Sequence, residues 1–125
     1  MEKQVELKIG VKTVSAVLND GQTADLFFRM LPMKLALARW GDEYYGDCGL
    51  KVKAERDART EMEVGELAVW PDGSALCIFF GPTPASTGDA PKAASPVNPI
   101  GKIVGDTSFL KKLGGTISVE VTNKV

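Results

Sequence analysis

Apolar and polar residues alternate along most of this chain, and this alternation predicts short β-strands. Near the start, Val5, Leu7 and Ile9 alternate with Glu6 and Lys8, which is typical of a strand with one buried face. Glycine-containing turns separate the alternating segments, so neighbouring strands are expected to pair as hairpins. Between the strands predicted at residues 50–55 and 64–70 lies a charged stretch, residues 55–60, that is expected to be a loop. Further strands are predicted at residues 14–18, 35–40, 44–45, 50–55, 64–70, 100–104 and 117–121.

One strand differs from the others because every residue from Ala75 to Phe80 is apolar, which predicts burial on both faces. The preceding Pro71-Asp72-Gly73 predicts a tight turn in which proline presets φ and Gly73 supplies a positive φ. After this strand, the segment Pro82–Pro99 has no period and holds five of the seven prolines. A loop of this length in a compact domain is usually functional, so we expect it to carry a binding surface.

Two short helices are also predicted. Apolar residues between Leu26 and Leu31 lie three and four positions apart, with Thr23 as the expected cap and Phe27 and Met30 facing the core. A second helix is expected around residues 107–113. The fold class is therefore mainly β: a closed antiparallel barrel of about eight strands, capped by two short α-helices and forming a single domain over residues 1–125.

Composition narrows the function. With 15 basic and 16 acidic residues, the chain has no electrostatic footprint for nucleic acid or for an anionic membrane. The charged, alternating start is unlike a signal peptide, and no apolar run is long enough to span a bilayer. The two cysteines are typical of a cytoplasmic protein with buried thiols. Because there is no histidine, the usual general base and metal ligand are missing, and we expect neither a metal nor another cofactor.

Arg39 is the most informative charged residue. If Leu35 and Leu37 face the core, Arg39 projects inward or into a cleft at the end of its strand. A buried guanidinium without a partner is costly, so two interpretations stay open: a structural ion pair with Asp42 or Glu43, or an arginine that lines a ligand groove. Asp42 and Glu43 themselves are interpreted as an exposed charged bend, since adjacent strand residues point to opposite faces.

The order of elements and several sequence markers resemble the small prokaryotic cyclophilin-like family. The markers are Leu31-Pro32, the segment Arg39–Glu43, the segment Glu63–Pro84 with its CIFFGPTP run, and the segment Pro96–Lys102. The resemblance extends over nearly the whole chain, and the CIFFGPTP run is its most specific part. It implies the cyclophilin barrel.

The functional implication of this resemblance is less direct. Authentic cyclophilins are prolyl isomerases whose active site includes an arginine, aromatic residues, a glutamine and a histidine, and the resemblance places Arg39 at the arginine and Phe79 or Phe80 in the pocket. The histidine and glutamine have no counterpart here. Prolyl rotation has a barrier of roughly 18–20 kcal/mol and needs no nucleophile. One donor in a dry site can lower such a barrier by roughly 3–4 kcal/mol, which leaves Arg39 as the candidate catalytic residue.

Three functions are therefore expected, in decreasing order of preference. The first is a binding module for a peptide or small-molecule ligand, with Arg39 suited to a carboxylate. The second is a weak peptidyl-prolyl cis-trans isomerase. The third, from a more distant resemblance, is an accessory subunit of an amide-hydrolysing enzyme such as allophanate hydrolase. The protein partner expected from these functions is a larger enzyme or a second copy of the chain in a homodimer. The candidate binding groove comprises Phe79, Phe80, Pro82, Thr83, Asn98 and Trp40.

Overall fold

The computed structural model describes residues 3–124. This part of the chain forms nine β-strands, one α-helix and two short 3-10 helices. Helix α1 spans Gln22–Arg29, and the 3-10 helices span Pro71–Gly73 and Ser108–Lys112. No helix within residues 3–124 is long and apolar enough to cross a membrane. The strands are β1 (Lys3–Ile9), β2 (Lys12–Leu18), β3 (Met33–Arg39), β4 (Glu43–Asp47), β5 (Arg59–Glu61), β6 (Glu66–Trp70), β7 (Ala75–Phe79), β8 (Lys92–Val104) and β9 (Thr116–Asn123).

Eight of these strands close into an antiparallel ring. Their order is β2-β1-β9-β3-β4-β7-β6-β8, and β2 also pairs with β8, so the ring has no free edge. The ninth strand, β5, pairs with the first half of β8 outside the ring. The prediction of a closed antiparallel barrel of about eight strands is confirmed.

The alternation seen in the sequence determines which side chains fill the barrel. On β1, Val5, Leu7 and Ile9 are buried inside, as expected for a strand with one solvated face. Strand β7 is buried on both faces, which confirms that prediction. Its Leu76 and Ile78 belong to the barrel interior, while its outward side chains join a second, smaller apolar cluster on the outer face. The outer cluster is the part of the core that supports the site described below.

The helical elements differ from the prediction of two α-helices. Helix α1 is present, but the second element is a five-residue 3-10 helix, because a segment this short closes few backbone hydrogen bonds. Helix α1 also begins before Thr23, with Gly21 at its N-cap, and the Thr23 hydroxyl instead donates to the carboxylate of Glu55. Phe27 is buried as predicted, whereas Met30 is 40% exposed at the end of the helix.

Residues 50–55 do not form the predicted strand. Their backbone bonds to the buried Asn98 side chain, which accepts from the N–H of Glu55 (2.8 Å) and donates to the carbonyl of Lys53 (2.9 Å). These side-chain bonds replace the bonds of a strand ladder. Conversely, the stretch 55–60 predicted to be a loop contains the start of β5.

The predicted eighteen-residue loop is shorter than expected because β8 already begins at Lys92. Proline normally interrupts a ladder because it lacks an N–H. Here Pro99 pairs with Ala68 next to a register shift between β6 and β8, and Pro96 lies within the irregular pairing of β8 with β5. Prolines are tolerated at such bulges, so the strand continues through both.

Candidate functional site

A cavity of about 250 Å³ opens on the outer face of the barrel, where β4, β7, β6 and β8 lie side by side. Its lining is mainly apolar and aromatic with a single carboxyl group, and it contains both tryptophans of the chain. We call it the outer-face cavity. Its lining residues are Trp40, Glu43, Tyr45, Trp70, Cys77, Ala93, Ala94 and Val97.

Strand register brings these side chains to one face. In the β4–β7 pair, Glu43 lies opposite Phe79 and Tyr45 lies opposite Cys77. Residues paired across antiparallel strands point to the same side of the sheet, so these four side chains share the outer face. Tyr44, between Glu43 and Tyr45, points into the barrel, because adjacent residues of a strand face opposite sides.

Glu43 is the unusual member of the cavity lining. Its side chain is buried, with the residue only 5% exposed, and its Oε1 has no hydrogen-bond partner within residues 3–124. Burial disfavours the carboxylate and raises the pKa of Glu43 to about 7, although the neighbouring Cys77 thiol partly opposes this by favouring the charged form. Glu43 is therefore partly protonated near neutral pH. A buried polar atom without a partner is unusual in a folded protein, and it marks Glu43 as the distinctive group of the cavity.

Cys77 lies on β7 beside Glu43. Burial raises its pKa well above the ordinary thiol value, and the Glu43 carboxylate raises it further. Burial also raises the pKa of Cys48, and both cysteines are free and buried, as predicted. Cys77 thus stays a thiol at neutral pH and is not an activated nucleophile.

Trp70 forms a fixed wall of the cavity. Its indole Nε1 donates to Ser95 Oγ at 2.6 Å, and that hydroxyl donates to Asp72 Oδ2 at 3.0 Å. The ring also packs against Gly73, where an added Cβ atom would lie 2.7 Å from Trp70 Cε3. The positive φ predicted for Gly73 belongs instead to Ser74, at 49°, and Gly73 serves by leaving room for the indole.

Trp40 and Glu43 flank a two-residue hairpin turn. The Trp40 N–H donates to the Glu43 carbonyl at 2.8 Å, and the Glu43 N–H donates back to the Trp40 carbonyl at 3.2 Å. Gly41 has a positive φ of 62°, which a tight hairpin of this length requires. The turn therefore sets the positions of two cavity residues at once.

Arg39 stabilises this turn from the barrel side. Its guanidinium donates to the Gly41 carbonyl and to Asp42 Oδ1, both at 2.8 Å, and to the carbonyls of Lys111 and Leu113. It also lies 5.1 Å from the centroid of the Phe80 ring. Of the two open interpretations, the ion pair with Asp42 is present, and Arg39 is not among the residues that line the outer-face cavity.

The other predicted groove residues occupy several places. Phe80 points into the barrel and stacks on Tyr44, with centroids 5.4 Å apart, while Phe79 is fully buried in the outer cluster below the cavity. The Pro82 carbonyl accepts from the N–H of Asp42, and the Thr83 hydroxyl donates to the carbonyl of Lys92.

Asn98, as described above, holds residues 53–55. Of the predicted site residues, only Trp40 lines the outer-face cavity. Arg39 and Pro82 form hydrogen bonds to its hairpin, and Phe79 packs beneath it.

Sequence reasoning did not select Glu43, Tyr45, Trp70 or Cys77 as site residues. The signal that was missed is the alternation of side chains along β4. If Tyr44 faces the core, Glu43 and Tyr45 face the outer side, and β4 pairs with β7, whose outer face is also buried. Glu43 is the one carboxylate in the cavity lining, and residues 3–124 contain no group of three side chains placed to hold a metal ion.

The chain belongs to the cyclophilin-like family, whose model matches residues 3–122. The family assignment made from the sequence markers is thereby confirmed. A hypothetical protein from Archaeoglobus fulgidus, whose solution structure is known, is 32% identical, with a TM-score of 0.82 over 98% of this chain and 95% of that one. No curated protein matches the chain.

Proposed function

We propose that this protein is a binding module of the cyclophilin-like family and that its ligand, a small molecule or a peptide side chain, occupies the outer-face cavity. The observation that supports this most strongly is the unpaired carboxyl oxygen of Glu43 in a mainly apolar and aromatic cavity. Leaving a buried polar atom unpaired costs roughly 1–3 kcal/mol. A ligand that donates one hydrogen bond to this oxygen recovers that free energy.

The size of the cavity limits the ligand. Sites that hold drug-sized molecules measure roughly 300–1,000 Å³. The outer-face cavity, at about 250 Å³, suits one compact group, such as a small molecule or a single side chain of a peptide.

Two observations favour binding over turnover. Cys77 in the cavity remains protonated, so no activated nucleophile is present in its lining. Arg39, which an isomerase mechanism needs as a donor to the prolyl nitrogen, makes four hydrogen bonds within the chain. Weak isomerase activity and a role beside a larger enzyme partner remain predictions from the sequence.

The chain offers a direct test because its only two tryptophans line the cavity. Protein labelled with 5-fluorotryptophan gives two ¹⁹F resonances, one on each wall. We would titrate it with small probes of different charge: 1-propanol, propionate, propylammonium and N-acetylproline amide. Saturable shifts of both resonances with at least one probe are expected.

Glu43→Gln tests the carboxyl group, and Glu6→Gln on β1, outside the cavity lining, is the matched control. The affinity for the probe that binds should change in Glu43→Gln and should stay the same in Glu6→Gln. If no probe produces saturable shifts, the cavity is not a ligand site. If instead the protein accelerates a proline-limited refolding reaction and Arg39→Ala abolishes this, the isomerase is the correct function.

A further inference from the structure

The lining of the outer-face cavity combines aromatic rings with a single acidic group. Trp40, Tyr45 and Trp70 contribute the rings, Glu43 contributes the carboxyl group, and no lysine or arginine lines the cavity. The remaining lining residues are cysteine, alanine and valine. This composition discriminates among ligands by charge.

We propose that the group bound in this cavity is a protonated amine, whose N–H donates to Glu43 Oε1 while its positive charge lies among the three aromatic side chains. This inference rests on the proposed function and specifies its ligand class. It does not depend on whether the amine belongs to a free small molecule or to a lysine side chain.

A ligand that is anionic or neutral does not use all of the interactions that the cavity lining offers. An anionic ligand meets no cationic side chain in the lining and approaches the Glu43 carboxyl group. A neutral donor satisfies Glu43 Oε1 but gains no attraction from the rings. A cation within about 6 Å of an aromatic ring gains roughly 0.5–2 kcal/mol, with the larger value in desolvated sites. An ammonium ion therefore uses both parts of the lining.

Protonation of Glu43 is coupled to this binding. The titratable groups that face Glu43 in the cavity are the Cys77 thiol on β7 and the Tyr45 hydroxyl on β4. Strands β6 and β8 contribute only uncharged residues, namely Trp70, Ala93, Ala94 and Val97. Burial raises the pKa of Glu43 to about 7. An ammonium ion favours the carboxylate, so the protonated carboxyl group releases its proton to solvent when the amine binds.

The pH dependence of affinity then has a definite sign. An alkylamine titrates near 10.4, as lysine does, so the probe stays charged from pH 6 to pH 8. With a pKa of about 7 for Glu43, the ionised fraction rises about tenfold over this range. The affinity for an amine should rise by the same factor of about 10. At pH 7 about 0.5 proton should leave for each amine bound.

The experiment uses the ¹⁹F-labelled protein with propylammonium chloride, 1-propanol and sodium propionate, three probes of similar size and different charge. Propylammonium should bind at least tenfold more tightly than the other two at pH 8. Glu43→Gln should lose this preference, and Glu6→Gln should retain it. Trp40→Leu, which keeps the wall apolar but removes the ring, should weaken propylammonium more than propanol.

Calorimetry of the unmodified protein in two buffers of different ionisation enthalpy measures the released proton without relying on any variant. Nα-acetyl-lysine amide, compared with propylammonium, distinguishes a peptide side chain from a free amine. If propanol or propionate binds and propylammonium does not, the amine inference fails while the proposed function stands. If no probe binds, both fail.

Discussion

Replacing Glu43 by glutamine should change the pH dependence of folding stability. Glu43 has a pKa raised from 4.5 to about 7 by burial, so the folded state holds a proton that the unfolded chain loses above about pH 4.5. Protonation therefore supports the folded state fully at low pH, and this contribution is lost as pH rises from 4.5 to 7. Each tenfold change in proton affinity corresponds to about 1.4 kcal/mol, so the loss amounts to about 3 kcal/mol.

Glutamine is close to the protonated carboxyl group in size and carries no charge. We expect Glu43→Gln and the wild type to be similarly stable at pH 4.5, and the variant to be more stable by about 3 kcal/mol at pH 8. Urea denaturation followed by circular dichroism across this range measures the difference, and Glu6→Gln is the control for altered charge. A constant stability difference between Glu43→Gln and the wild type from pH 4.5 to pH 8 would refute the assignment of Glu43 as a buried, partly protonated acid.

Three further predictions concern the supports of the cavity. Arg39→Ala should lower the free energy of unfolding in urea by about 2–4 kcal/mol, because carbonyl groups and the Asp42 carboxylate lose their donor. Arg39→Lys should recover little of that stability, because an ammonium group cannot reproduce the guanidinium's several hydrogen bonds. Gly73→Ala should shift the Trp70 ¹⁹F resonance and cost about 1–3 kcal/mol, because its methyl group meets the indole. Cys77 should resist iodoacetamide at pH 8 in the native protein and react once unfolded; rapid native alkylation would contradict its burial.

Much of the barrel follows from local sequence. The two-residue alternation of β1 and the continuous apolar run of β7 predict both strands and their buried faces, because the period of side chains along a strand is fixed by geometry. The predicted strand at residues 50–55 shows the opposite case. Its alternation is present, but its backbone bonds to Asn98, which is distant in sequence and gives no local signal.

The site was harder to predict than the fold because it depends on pairing between distant strands. Trp40, named as a groove residue from the sequence, lines the cavity, whereas Glu43 was interpreted as part of an exposed bend and is buried. Whether a glutamate after a tight turn is exposed depends on the other strands at that face, and here Ala93 and Val97 of β8 line the same cavity as Glu43. Arg39 was recognised as needing a partner, and the ion pair with Asp42 is the one found.

The most direct measurement is the ionisation of Glu43 itself. The ¹³Cδ resonance of Glu43, assigned by its absence in Glu43→Gln, reports the protonation state between pH 4 and pH 9. We expect a midpoint near pH 7 in the free protein, moving to lower pH when propylammonium is added. A midpoint near 4.5 in the free protein, unchanged by the amine, would contradict both the buried acid and the amine site built on it.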